Sequence, residues 1–210
     1  RARGGVSFIM VGPAVFDHRG VGGTFEYRLY FDGVLEGLSR LVEAIHHCGV
    51  PVGLQLHHAG RQANPLLIEG SAVAPSAIPC PVRKTTPRAL TIPEIEGIVN
   101  QYGIYARKAK EIGFDAVEIH GSHGYLIAEF LSPFANSRTD PYGGSLANRT
   151  RFAQEVIREV RRRIGNRFPV LFRIAGEEHV PGGLTKEETP LIAKLVEDAG
   201  VDAIDVSAGN

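Results

Sequence analysis

Cysteine is scarce in this chain, net charge is nil and long apolar runs are missing. Each of these absences removes a class of protein. Two cysteines in 210 residues, Cys48 and Cys80, are too few and too far apart for a disulfide scaffold or a cysteine metal site. The pair fits a reducing compartment, so the cytoplasm is the expected location. Twenty-three Lys+Arg balance 23 Asp+Glu, which argues against a nucleic-acid-binding surface. No uncharged apolar run approaches the roughly 18 residues of a membrane span. A 43% hydrophobic content excludes disorder and allows a large buried core. The chain opens on Arg1 rather than Met, shows no signal peptide, and stops at Asn210 just after a strand-like run. It is therefore expected to be part of a domain rather than all of one.

What is present is alternation. Val6–Val11, Pro51–Leu56, Ala116–His120, Pro169–Ile174 and Ala203–Ser207 are short runs rich in Val, Ile, Leu or Phe, and each predicts a buried strand. Helical periods separate them. Gly33–Cys48 carries Val34, Leu38, Leu41, Val42 and Ile45 on one face. Thr91 and Glu94 form a capping box that opens a helix running to Ile112. Arg149–Ile164 repeats the pattern and stops at Gly165. Thr185 and Glu188 predict a second capping box ahead of Leu191, Ile192, Leu195 and Val196.

The order βαβαβαβαβ implies a parallel sheet covered by helices. No G-x-G-x-x-G follows any strand, which disfavours a dinucleotide-binding doubly wound sheet. Turns from helix back to strand are short, whereas the loops after the second and third strands are long. That asymmetry suits a (β/α)8 barrel with its chemistry at the strand C-terminal face. A complete barrel has eight strands and about 250 residues. About five βα steps are visible, so residues 1–210 are expected to form an incomplete TIM barrel without its first strand and last two strands.

Polar side chains within or just past apolar strands are the informative ones. Gln55 interrupts PVGLQL, and its amide offers both donors and acceptors, as the edge of a heterocycle would require. Taken alone, it reads more readily as a strand-tying amide. Arg173 ends PVLFRI and must either pair, with Glu177 or Glu178, or face a ligand. The densest cluster is His120, His123 and Tyr125, three titratable groups within six positions at the end of a core strand. Two imidazoles can hold a carbonyl oxygen by hydrogen bonds, and a nearby phenol can deliver a proton. A metal site would need a third ligand, and none follows at suitable spacing. Strand alternation lets at most one of His57 and His58 share the direction of Gln55, and both are expected to anchor structure. His46 and His47 read as bland helix-end residues, and Arg161–Arg163 as a solvated face.

QLHHAGR, HGSHGYLIAEFLSPFANSRTDPYGGSLANR and VLFRI together resemble the old yellow enzyme family of flavin oxidoreductases, over nearly the whole chain. The branch with 2,4-dienoyl-CoA reductases and 2-enoate reductases is the most similar. The resemblance implies an FMN-binding barrel and NAD(P)H as reductant. It places Gln55 at the flavin pyrimidine edge, Arg173 near N1 and O2, and Gly12, after the first strand, with its backbone against the ring. It makes His120 and His123 the pair that binds the substrate's electron-withdrawing group, and Tyr125 the proton donor to an activated alkene. Dienoyl-CoA reductases often carry Glu where this chain has His123, which sets the thioester substrate apart from the other options. Amine and bile-acid dehydrogenases on the same barrel, and a non-catalytic barrel, are the alternatives. Asn136, Arg138, Asp140, Tyr142 and Arg149 are expected to organise the long loop. Members of the branch often add a 4Fe-4S cluster and FAD, which extends the cofactor expectation for the full-length protein. The expected partner is a small-molecule substrate, with no nucleic acid and no membrane, and a homo-oligomer is left open.

Overall fold

A computed structural model describes residues 1–209. Eight strands and five α-helices follow one another as β1 (Ile9–Val15), β2 (Tyr27–Arg28), α1 (Val34–His46), β3 (Val52–His57), β4 (Val73–Ala74), β5 (Arg88–Ala89), α2 (Ile92–Glu111), β6 (Ala116–Gly121), α3 (Leu126–Leu131), α4 (Leu146–Ile164), β7 (Val170–Ala175), α5 (Thr189–Ala199) and β8 (Ala203–Ser207). Six strands form one parallel sheet in the order β2-β1-β3-β6-β7-β8, and β4 and β5 pair separately. From β1 onward the long strands lie side by side in chain order, with no reversal. Right-handed crossovers that never reverse direction keep the helices joining successive long strands on one face, which is barrel winding rather than double winding. The described residues leave the sheet open, with β2 and β8 at its edges.

Alternation along the strands divides the sheet into two chemistries. Leu54 and Leu56, Val117 and Ile119, and Phe172 and Ile174 face the helices and join one core with Ile95, Ile98, Tyr102, Phe152, Val156 and Val160. The opposite face carries Gln55, His57, Glu118, His120, Arg173, Asp205 and Ser207, and in a barrel that face is the interior.

The helix signals work for physical reasons. The Glu94 carboxylate accepts the Thr91 backbone N–H at 2.9 Å, which closes the expected capping box on α2. At the other predicted box the structure differs. Thr189 starts α5, and the Glu188 carboxylate reaches away from the helix to Arg149 at 2.6 Å. A buried guanidinium is the stronger claim on a carboxylate, so the helix starts later. The first strand begins and ends later than Val6–Val11, which places Gly12 inside β1 rather than after it. The wholly buried α3 was not legible, because LIAEFL is surrounded by protein and has no polar face to set a period. Arg161 is a correction too. Its guanidinium binds the carbonyl of Phe168 at 2.6 Å and pairs with Asp202, clamping two helix-to-strand turns instead of facing solvent.

The long loop after β6 is built as expected. Asn136 Nδ2 donates to the carbonyls of Phe130 and Tyr142, both at 2.8 Å. Arg138 Nη1 donates to those of Pro75 and Leu90, at 2.8 and 2.7 Å, while its Nε donates to Asp140. The Tyr142 hydroxyl donates to Glu155 at 2.8 Å. A loop with this many internal acceptors satisfied can be buried without orphaned backbone groups.

Candidate active site

The site lies where the polar face meets the C-terminal strand ends. His120 is next to last in β6, and register places it beside Arg173 of β7, which in turn pairs with Asp205 of β8. His123 follows on a turn with φ +59, a left-handed conformation that costs a non-glycine residue about 1–2 kcal/mol. That turn swings its ring back toward the strand. His123 Nδ1 then lies 3.3 Å from His120 Nε2, and the ring centroids are 5.1 Å apart. At this distance one nitrogen donates to the other, and both rings can turn N–H groups to a single oxygen only when a ligand displaces that contact and His123 takes the Nδ1-protonated form. His123 Nε2 meets the Ser207 hydroxyl at 2.5 Å. If that hydroxyl accepts, the His123 proton sits on Nε2, and Nδ1 is left to accept from His120. His120 Nδ1 is buried without a protein partner, and the tautomer protonated on Nε2 leaves only an acceptor unsatisfied there.

Tyr125 caps α3, and its ring centroid is 5.2 Å from that of His120 and 6.4 Å from that of His123. Burial raises its phenol, which therefore stays protonated and able to give a proton. Burial lowers His120 to about 3, with the charges of His123 and Arg173 adding to the effect, and burial also lowers His123. Both imidazoles are neutral hydrogen-bond donors near neutral pH.

On the same face, Gln55 Nε2 donates to Glu118 Oε1 at 2.6 Å. A Cβ on Gly12 would lie 2.7 Å from Gln55 Cβ, so this strand crossing requires glycine. Arg173 Nε lies 3.4 Å from Asp205 Oδ2 without a well-aligned hydrogen bond. Its expected partners were Glu177 and Glu178. Both lie past the end of β7, and Glu178 instead accepts Ser132 Oγ and the Leu184 backbone N–H. The structure thus brings Gly12, Gln55, His120, His123, Tyr125 and Arg173 to one surface.

Four contributors were missed. His57 was expected to be structural, yet its ring stands edge-on to Tyr125 at 4.3 Å and lies 5.4 Å from His120. Its alternation with Gln55 pointed the same way. His58 does anchor structure, accepting the Gly60 N–H at 3.1 Å and lying 3.8 Å from Asp17. Glu118 and Asp205 are acids in the middle of apolar strands, the same signal that singled out Gln55. Ser207 gave no sequence signal.

Two buried neutral histidines make a prediction about acid stability. His57 is held well below the usual imidazole range by burial, and His120 falls to about 3. Between that value and the unfolded value near 6.5, the unfolded chain binds protons that the folded chain refuses. Stability then falls as pH drops below about 6.5, by about 1.4 kcal/mol per pH unit for each histidine once the unfolded form is fully protonated. Asp17, held below the usual carboxylate range by His58 and Arg19 against the effect of burial, adds its own loss only below about pH 4. Melting temperature against pH is expected to decline from pH 6.5 to 4, and His120→Asn to flatten that limb. An unchanged slope in His120→Asn would remove the histidine from this account.

The sequence model of the NADH:flavin oxidoreductase / NADH oxidase family matches residues 1–210, the whole chain. The chain belongs to that family. Among relatives of this family, it is 45% identical to an NADH oxidase of Thermoanaerobacter brockii, aligned over 100% of this chain and 32% of that protein. It is 41% identical to an NADPH dehydrogenase of Geobacillus sp. (strain WCH70), over 100% of this chain and 60% of that protein. An old yellow enzyme homologue from Zymomonas mobilis superposes with a TM-score of 0.91 at 27% identity, covering 100% of this chain and 62% of that one. The chain thus spans about a third to three-fifths of the length of these family members. The open parallel sheet is an incomplete TIM barrel of old yellow enzyme type. Members of this family are flavin-dependent oxidoreductases that draw on NAD(P)H. No helix among the described residues is long and apolar enough to cross a membrane.

Proposed function

We propose that the intact protein is an FMN-dependent NAD(P)H oxidoreductase that reduces the C=C bond of an activated alkene, an enone, enoate or enoyl thioester. The observation that carries this reading is the pair of nitrogens 3.3 Å apart, His120 Nε2 and His123 Nδ1, with a protonated Tyr125 beside them. Next to them the surface fits FMN. Gln55 offers a donor and an acceptor to a heterocycle edge, Arg173 offers a cation with a free Nε, and Gly12 leaves backbone uncovered by a side chain. Bound there, FMN would supply the hydride that NAD(P)H provides.

The chain's own residues do the rest. His120 and His123 donate to the carbonyl oxygen of the substrate, and the donation strengthens as that oxygen gains enolate character. Because both rings are neutral, they polarise the carbonyl without first giving it a proton. Tyr125 holds the proton destined for the α-carbon and releases it as negative charge builds there. Arg173 would lend its positive charge to the edge of FMN held beside it. A 4Fe-4S cluster held by four thiolates would draw ligands from outside these residues, which contain two cysteines.

The test is steady-state turnover by the intact protein with FMN and NAD(P)H, comparing an enone with an amine. Enone reduction that depends on NAD(P)H is expected. Amine oxidation without enone reduction would overturn the proposal in favour of a dehydrogenase on the same barrel.

A further inference from the structure

We propose that Glu118 is a positioning residue that locks the Gln55 amide in one orientation, so that Gln55 Oε1 presents an acceptor, flanked by one Nε2 proton, to an N–H-bearing heterocycle edge. The inference rests on the flavin reading above and adds a residue to it.

Gln55 is a buried primary amide whose two ends are nearly the same shape. Only one orientation suits a ring edge that carries an N–H beside a carbonyl. Its reverse sets amine protons against the ring N–H. Something must choose between them, and the choice has to be made before the ligand arrives if affinity is not to be lost. Glu118 does this. It is 3% exposed and stands directly across from Gln55 in the β3–β6 register. Its Oε1 takes one Nε2 proton at 2.6 Å. A carboxylate in that place accepts from the amide nitrogen and repels the amide oxygen, so the flipped state is excluded. The second Nε2 proton and Oε1 are left for a ligand.

The competing role, counter-ion to Arg173, fits less well. The carboxylate within ion-pair distance of Arg173 is Asp205, at 3.4 Å, while the short contact of Glu118 is to Gln55. Burial raises Glu118, with the neighbouring Asp205 opposing its charge further and Gln55 and Arg173 pulling it back. A protonated carboxyl can donate to Gln55 Oε1 instead, so the lock holds only while Glu118 is charged.

The experiment is FMN affinity of the intact protein, read by quenching of flavin fluorescence. Glu118→Gln keeps an acceptor oxygen at the same reach and loses the charge. Glu118→Asp keeps the charge and withdraws the acceptor by one methylene, about 1.5 Å. The lock predicts about tenfold weaker FMN binding for Glu118→Asp, the scale set by the rotamer freedom returned to a glutamine. It predicts a loss of the same order for Glu118→Gln, whose amide donates to Gln55 Oε1 as readily as it accepts from Nε2 and so no longer chooses. In a Gln55→Ala background, itself weaker for FMN, Glu118→Asp should cost nothing further. Two results would overturn the lock alone. One is Glu118→Gln binding FMN as tightly as the unmodified protein, and the other is an equal cost of Glu118→Asp with and without Gln55. Unchanged FMN affinity in Gln55→Ala by itself would instead sink the flavin-edge reading, and the lock with it. Melting of each FMN-free variant shows whether a change in affinity reflects lost folding.

Discussion

Tyr125→Phe in the intact protein is expected to lower alkene turnover by about 10²–10⁴-fold while reduction of bound FMN by NAD(P)H keeps its rate. The substitution removes one oxygen and little volume. Tyr125 keeps its ring against His57, its place ahead of α3 and its distance from His120. What disappears is the proton, and a positioned general acid contributes on the order of 10²–10⁴-fold. Flavin reduction uses no proton from this phenol, so stopped-flow traces of the reductive half-reaction should superpose on those of the unmodified protein. Loss confined to the oxidative half-reaction with the alkene assigns the proton to Tyr125. Equal loss in both halves would instead mean that the hydroxyl holds the site together, and undiminished alkene turnover would strike Tyr125 from the chemistry.

Arg149→Met is the largest expected stability effect. Arg149 is 5% exposed and serves three places at once. Its Nη1 donates to the carbonyl of Leu131, its Nε to that of Gly144 at 3.2 Å, and its Nη2 to Glu188 at 2.6 Å. These contacts tie the end of α3, the loop before α4 and the start of α5 to one side chain. Methionine fills much of the space but leaves the two carbonyls and a carboxylate without their donor. Removing one partner of a buried pair costs about 3–5 kcal/mol. Denaturant unfolding of the intact protein should show the midpoint move with the slope unchanged. Substituting Arg162, exposed and paired with Glu159 within one helix, should change stability by less than about 1 kcal/mol. A loss at Arg149 as small as that would show that the three contacts carry no weight together.

Much of this architecture was legible because strands and helices write different periods. Pro169–Ile174 and Ala203–Ser207 were recognisable as apolar runs between turn residues, and β7 and β8 occupy nearly the same positions. The box at Thr91 and Glu94 formed because Glu94 has an oxygen to spare: Oε2 takes Thr91 while Oε1 takes Arg19 Nη1 and Arg88 Nη2. The box at Thr185 and Glu188 failed because Arg149, remote in sequence, takes the carboxylate. The paired β4 and β5 were invisible because two-residue strands carry no period.

The same division holds at the site. Gln55, Arg173, His120, His123 and Tyr125 stood out as polar residues where apolar ones were due. The partners of those residues did not, because a partner is set by register and by turn geometry rather than by spacing along the chain. Asp205 displaces Glu177 and Glu178 beside Arg173 because β8 lies next to β7 at matching height. Ser207 reaches His123 across 84 positions. His57 joins Tyr125 and His120 because the ends of β3 and β6 meet at one level and the turn after β6 brings Tyr125 back to them.

Sequence alone determined that this chain alternates strand and helix, that it lacks the glycine pattern of a dinucleotide-binding sheet, and that polar side chains interrupt its apolar strands near their ends. These follow from side-chain alternation, helical period and the cost of burying unpaired polar groups, all of which act locally. Tertiary structure decided which polar groups share a space, which nitrogens of His120 and His123 face each other and which way Gln55 faces. Those depend on strand register and on a left-handed turn at His123, and both are settled only when distant segments pack against each other.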